Sequence, residues 1–157
     1  MALIVEDGTA VAGANSYVSA DDFLAWADAR GFTYPSYPEI EQKILRAMDY
    51  IESLSFVGQK NEETQPLQWP RAYVLIDGYS VDSNEIPNEL KVAVYEAIKL
   101  DIDGDSKLTV SDRETVKEKI GDIEVTYKSS AGMKRTTPAM SKALRKLVRN
   151  INEVSRV

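Results

Sequence analysis

The segment with the clearest capacity for chemistry is DIDGDSKLTVSD, residues 101–112. Calcium-binding EF-hand loops place oxygen ligands at loop positions 1, 3, 5 and 12. Here those positions hold Asp101, Asp103, Asp105 and Asp112. The match is incomplete, because Ser106 stands where the loop needs glycine and Asp112 is shorter than the glutamate that chelates through both oxygens. We therefore assign no metal site and favour a solvated acidic loop capping a helix, with calcium binding as the open alternative.

The chain contains no histidine and no cysteine. Disulfides, thiolate nucleophiles, histidine-based triads and Cys/His zinc sites are therefore excluded. Carboxylates are numerous, but the sequence places no pair at the defined separation that would divide acid and base roles between them. We predict that the protein is not an enzyme, with no catalytic residue and no cofactor.

The Trp-Pro-Arg step at residues 69–71 has two interpretations. Arg71 with Tyr73 and Tyr79 would suit a surface that stacks the bases of a single strand beside a cation. Alternatively the step is a structural corner, because proline forces the preceding tryptophan into an extended backbone and a buried indole stabilises the fold. Arg71 stands alone among acidic neighbours in this part of the sequence, so we favour the corner.

Charge is unevenly distributed along the 157 residues. Residues 134–157 carry seven Lys and Arg against one Glu, a net charge of +6, and the rest carries 12 against 24, a net charge of −12. An acidic body repels DNA, whereas a basic tail suits phosphate or an acidic protein surface.

The N-terminus lacks the basic and long apolar regions of a signal peptide, and no apolar run is long enough for a membrane span, so we expect an intracellular origin.

Four segments show the apolar periodicity of amphipathic helices, with start signals at Ser19, Pro38, Pro87 and Thr137. The predicted helices cover residues 20–30, 38–54, 87–100 and 138 through Ile151. The side chains that we expect to be largely buried are Trp26, Ile44, Met48, Trp69, Val94 and Leu144.

A β-hairpin is predicted near residues 114–128, because Ile123, Val125 and Tyr127 alternate with polar residues after Gly121-Asp122. The expected fold is therefore mainly α, a small four-helix domain with one β-hairpin. Its helical body would span residues 1–133, followed by a basic C-terminal loop and docking helix at 134–157.

The last helix combines an apolar stripe with basic side chains on its other faces. We predict that it docks onto a partner, following a glycine-containing loop that would let it swing, although the stripe is also compatible with ordinary core packing. The predicted partner-binding residues are Met140, Lys142, Leu144, Arg145, Lys146, Leu147, Val148, Arg149 and Ile151.

An ordered series of sequence blocks resembles a known family. The blocks are ANSYVSADDFLAWADARG, ILRAMDYIESLSFVGQK, QPLQWPRA, IPNELKVAVYEAIKLDIDGD and VKEKIGDIEVTYK, which together span roughly residues 13–128. They resemble the tailed-phage proteins described as DnaT-like single-stranded DNA-binding, which are similar to head-to-tail connectors, also called adaptors or head-completion proteins.

This resemblance implies a connector-like structural protein of the virion neck, made in the host cytoplasm. Such a protein forms a homo-oligomeric ring of about 12 copies under the portal. It contacts the portal protein and the tail-side stopper or tail-terminator protein, lets double-stranded DNA pass without sequence-specific binding, and touches no membrane. The C-terminal helix would dock onto the portal. The alternative is a DnaT-like single-stranded DNA-binding protein, which the acidic body disfavours.

Overall fold

The computed structural model describes residues 2–104, 117–120, 123–126 and 137–149. It contains helices α1 (Ala20–Asp28), α2 (Tyr37–Glu52), α3 (Asn88–Ile102) and α4 (Pro138–Arg145). Six short strands accompany them: β1 (Gln59–Lys60), β2 (Arg71–Ala72), β3 (Leu75–Ile76), β4 (Tyr79–Ser80), β5 (Lys117–Ile120) and β6 (Ile123–Thr126). The prediction of a small, mainly helical domain with four helices is confirmed.

The starts of α1 and α4 are capped by side chains at the predicted positions. The Ser19 side chain accepts a hydrogen bond from the Asp22 amide at 3.1 Å, and the Asp22 carboxylate accepts one from the Ser19 amide at 3.3 Å. Thr137 caps α4 in the same way, accepting from the Met140 amide at 3.0 Å. These bonds satisfy amides that a helix start leaves without a partner. The ends of the first three helices fall within two residues of the predicted ends.

The core lies where α3 packs against both α2 and α4. Five of the six side chains predicted to be buried are buried: Ile44, Met48, Trp69, Val94 and Leu144. Trp26 differs, because it is only partly buried. Its ring packs against Phe32 and Tyr95, with centroid distances of 5.5 and 5.3 Å, while the Arg30 guanidinium covers it at 4.4 Å.

Each described strand belongs to a two-stranded antiparallel ribbon. The β5–β6 ribbon pairs Ile120 with Ile123, which confirms the predicted hairpin. The other two ribbons, β1–β2 and β3–β4, were not predicted from the sequence. In β3–β4 the two connecting residues, Asp77 and Gly78, have φ values of 52° and 87°. Positive φ at both positions is the requirement of the tight hairpin turn that matches strand twist.

The β1–β2 ribbon depends on glycine at position 58. Gly58 has a φ of 70°, and a Cβ atom there would lie 2.4 Å from the Ala72 carbonyl oxygen and 2.7 Å from a methyl group of Val74. Any larger residue would therefore push the chain away from the segment that leads into β3.

The Trp-Pro-Arg step forms a buried corner, as predicted. The Trp69 side chain is completely buried, and the Trp69–Pro70 peptide bond is cis. The Trp69 amide donates to the Tyr17 hydroxyl at 3.1 Å, and that hydroxyl donates to the Glu52 carboxylate. Glu52 also accepts from the Gln68 amide at 2.8 Å. The corner is thereby fixed to both the N-terminal segment and the end of α2.

Arg71 belongs to this corner and forms no ion pair with an acidic side chain in the described ranges. Its guanidinium donates to the carbonyl oxygens of Val57 at 2.7 Å, Gly58 at 3.0 Å and Gln68 at 3.1 Å. Burial lowers the pKa of Arg71 from its usual value, and the nearby charge of Arg149 lowers it further. Arg71 therefore holds the loop together and is not free to contact a ligand.

Candidate nucleic-acid interface

The β3–β4 ribbon, together with Tyr73 two residues before it, forms what we call the arm, which exposes three large apolar side chains: Tyr73, Leu75 and Tyr79. Their exposed fractions are 81%, 63% and 80%. The register pairs Leu75 with Ser80 and Ile76 with Tyr79, so the exposed Leu75 and Tyr79 lie on opposite faces of the ribbon. The arm therefore offers apolar surface on both sides.

The arm is anchored to the domain at its base. Val74 is completely buried, and its carbonyl oxygen accepts a hydrogen bond from the Val81 amide at 2.9 Å. Tyr73, next to Val74, has a φ of 59°, a conformation that is strained for an aromatic residue. The chain thus turns sharply between the buried corner and the exposed ribbon.

Helix α4 brings basic side chains next to the arm. The Lys146 ammonium contacts the Asp77 carboxylate in the turn, although 69 residues separate them in sequence. Lys142 is exposed one helical turn earlier and shares that face of α4. Arg149 donates to the Gly58 carbonyl oxygen at 3.3 Å, close to the base of the arm. Tertiary packing thus supplies the cations that the local sequence around Tyr73 lacks.

Two carboxylates face Lys146. The hydrogen bond to Asp77 raises the pKa of Lys146, and the negative charges of Asp77 and Glu89 raise it further. Lys146 therefore stays cationic at neutral pH, but part of its field is already neutralised. A phosphate bound at this point has to compete with Asp77.

The structure divides the predicted docking residues into two groups. Met140, Leu144 and Leu147 are buried in the domain's own core, so this part of the apolar stripe is not available to a partner. Residues 137–149 pack against the rest of the domain, as the alternative of ordinary core packing requires. The exposed or partly exposed members are Lys142, Arg145, Lys146, Val148 and Arg149, and docking by them stays a prediction; Ile151 lies outside the described residues.

Backbone pairing explains why the stripe is buried. The Val57 amide donates to the Leu147 carbonyl oxygen at 2.9 Å, and the Arg149 amide donates to the Ser55 carbonyl oxygen at 2.8 Å. Val148 bridges to Phe56 in antiparallel fashion. The chain after α4 is therefore attached to the segment that leaves α2.

A shallow groove of about 300 Å³ lies between the end of α2 and α4. Its lining residues are Leu54, Leu144, Arg145, Val148 and Arg149. The exposed Arg145 side chain forms no ion pair within the part of the chain that the structure describes. The groove thus combines an apolar floor with the guanidinium groups of Arg145 and Arg149.

The acidic segment is not a free ligand set where the structure describes it. Asp101 belongs to α3, its side chain is buried, and its carboxylate lies 3.0 Å from the Lys43 ammonium and 3.4 Å from the Arg46 guanidinium. The expected solvated loop is thus wrong for Asp101, because this carboxylate ties α3 to α2. Asp103 ends the helix, while Asp105 and Asp112 lie outside the described residues. No group of three acidic side chains among the described residues is placed to hold a metal ion.

The described residues thus form a small, mainly helical domain that exposes an apolar arm next to a basic face of α4. The chain belongs to the family described as "Putative DnaT-like ssDNA binding protein", which matches residues 1–157. That description names a binding activity and no enzymatic one. No curated protein and no solved structure gives a significant match. None of the helices in the described ranges has the length and apolar character that a bilayer span requires.

Proposed function

We propose that this protein binds single-stranded DNA through the arm and the adjacent Lys142/Lys146 face of α4. The observation that carries the proposal is the exposure of Tyr73 and Tyr79 next to an ammonium group that reaches the same turn. Single-strand binders combine aromatic rings that stack on bases with cations that follow the phosphates. The description of the family supports the same activity.

The expected binding is weak and depends strongly on salt. Only a few cations lie near the arm, and residues 1–133 carry a net charge of −12. Phosphate contacts release counterions, so affinity falls steeply as salt rises. We expect a dissociation constant of roughly 10⁻⁶ to 10⁻⁴ M, the range of sequence-independent binding.

The test is fluorescence anisotropy with labelled oligo(dT) and two matched double variants. Tyr73→Ala with Tyr79→Ala removes the arm rings, whereas Tyr34→Ala with Tyr37→Ala removes two exposed rings near the start of α2. Because each stacked base contributes about 1 to 3 kcal/mol, the arm variant should bind at least about tenfold more weakly. The control variant should bind like the wild type. Equal affinity of the arm variant and the wild type would refute the proposal.

A second candidate function is the head-to-tail connector that the sequence blocks imply. Two observations favour it: the acidic body suits a channel along which DNA slides, and the arm exposes apolar groups on both faces, as a segment enclosed by a neighbouring protein would. In this proposal the subunits form the ring at the virion neck. The α2–α4 groove, with Arg145 and Arg149, would receive the portal protein.

Two double charge reversals on α4 separate these candidates. Arg145→Glu with Arg149→Glu changes the groove, whereas Lys142→Glu with Lys146→Glu changes the face beside the arm. The connector proposal expects the first variant to lose attachment to purified portal particles in electron micrographs while keeping its oligo(dT) affinity. The DNA-binding proposal expects the second variant to lose oligo(dT) affinity. If both variants attach to portals normally, the protein does not dock onto the portal through this helix.

A further inference from the structure

The contact between Asp77 and Lys146 places an anion where the proposed interface needs a free cation. We propose that Asp77 determines selectivity: by occupying Lys146 it weakens phosphate binding, so that only strands with bases free to stack on the arm bind well. This inference rests on the proposed single-stranded DNA binding. It concerns discrimination between single strands and duplexes.

The conformation of the β3–β4 turn positions the Asp77 carboxylate next to the Lys146 ammonium group. Asp77 is the first residue of the two-residue turn, and its left-handed backbone, with φ of 52°, is followed by Gly78 with φ of 87°. The Asp77 side chain is 65% exposed and the Lys146 side chain 30% exposed. The carboxylate oxygen therefore meets the ammonium group at the protein surface, where a phosphate oxygen would otherwise meet it.

The consequence for selectivity follows from the two parts of the binding energy. Phosphate contacts are available to single strands and duplexes alike, and a duplex presents the denser charge. Stacking on Tyr73 or Tyr79 requires a base that is not already stacked within a duplex. The Asp77 carboxylate weakens the phosphate contacts and leaves base stacking unchanged. It therefore increases the preference for single strands.

The variant Asp77→Asn tests this directly, because asparagine followed by glycine suits the same turn and the fold should be kept. The matched control is Asp49→Asn, which makes the same charge change at an exposed position on α2. Affinities for oligo(dT) and for a duplex of equal length would be measured by anisotropy over a series of salt concentrations.

We expect Asp77→Asn to bind both probes more tightly, with a gain of about three- to tenfold for the duplex and a smaller gain for oligo(dT). Its salt dependence should steepen by about one phosphate contact. In a Lys146→Gln background the gain should largely disappear, because Asp77 acts through Lys146. The Asp49→Asn variant should resemble the wild type.

The outcomes separate this inference from the function on which it rests. Wild-type protein that binds oligo(dT), together with an Asp77→Asn variant no different from Asp49→Asn, would overturn the role of Asp77 alone. An unchanged gain in the Lys146→Gln background would also overturn it. Absence of binding in the wild type and in every variant would refute the DNA-binding function as well.

Discussion

Tyr73 combines an exposed ring with a strained backbone. Its ring is 81% exposed and its φ is 59°. Such a conformation costs a bulky residue on the order of 1 to 3 kcal/mol, and an exposed ring gains little burial in return. Strain of this kind is concentrated at ligand-binding positions. Folding stability therefore does not explain why tyrosine occupies this position, whereas the proposed contact with a DNA base would.

The variant Tyr73→Asn should separate stability from binding. Asparagine adopts left-handed backbone more readily than tyrosine, so the free energy of unfolding should stay equal or rise by up to about 1 kcal/mol. Affinity for oligo(dT) should fall because the ring is lost. Urea denaturation and anisotropy measure the two effects, and Tyr79→Asn serves as a control that loses affinity without relief of strain. A clear loss of stability in Tyr73→Asn would show that the ring has a structural role.

The contribution of the Glu52 carboxyl group to the free energy of unfolding depends on pH. Burial raises the pKa of Glu52 above its usual 4.5, and the hydrogen bonds from Tyr17 and the Gln68 amide only partly oppose that shift. Burial likewise raises the pKa of Tyr17. A raised carboxyl pKa means that the folded state binds the proton more tightly than the unfolded state does. The contribution of Glu52 to folding stability is therefore complete below about pH 4.5, and it is lost as pH rises through the pKa that Glu52 has in the folded protein.

The variant Glu52→Gln should remove this dependence. Compared with the variant, the wild type should lose unfolding free energy as pH rises above 4.5 toward neutrality. Urea denaturation of both proteins across that range measures the difference. If the two curves stay parallel, Glu52 has the same proton affinity in both states and our account of the corner is wrong.

At the scale of elements, α4 is attached at both ends. The Thr137 hydroxyl that caps its start also donates to the Glu96 carboxylate on α3 at 2.8 Å. Beyond its end, residues 147–149 pair with residues 55–57. Met140, between these anchors, and Leu147, in the second anchor, are both completely buried. The helix is therefore a structural element of the domain that also presents a charged outer surface.

We expect Met140→Ala to lower the free energy of unfolding by about 2 to 5 kcal/mol, the usual effect of truncating a buried large side chain. Lys142→Ala, two residues away and exposed, should change it by no more than about 0.5 kcal/mol. Denaturant unfolding of both variants measures the contrast. Similar small changes in the two variants would mean that α4 is detached in solution.

Local signals explain why the helices and the β5–β6 ribbon were predictable, whereas the β1–β2 and β3–β4 ribbons were not predicted. Ser19, Thr137 and the apolar periodicity act within a few residues, so the starts and types of the helices follow from the sequence. The Asp77-Gly78 pair is typical of a two-residue hairpin turn, so the β3–β4 ribbon could have been predicted from it. The β1–β2 ribbon has only two residues per strand and closes around ten residues, so its pairing depends on the buried corner and on Gly58.

At the scale of the whole molecule, the candidate interface comes from two distant parts of the chain. From the sequence, Arg71 was the candidate cation near Tyr73 and Tyr79. The fold buries Arg71 and brings Lys146 to the arm instead. That proximity is a tertiary contact between residues 69 positions apart, so no local pattern could indicate it. Apolar periodicity predicted a helix at α4, but it could not show that the apolar stripe of this helix packs inside the domain.

The most direct test of the DNA-binding account is a titration of ¹⁵N-labelled protein with unlabelled oligo(dT), followed through backbone amide shifts. The account predicts saturable shifts, weakened by added salt, in residues 73–80 and in the exposed residues Lys142 and Lys146 of α4. The amides of α1 and the start of α2 should stay unchanged and serve as the internal control. Shifts confined to α1 and α2, or no shifts at millimolar oligonucleotide, would contradict the account.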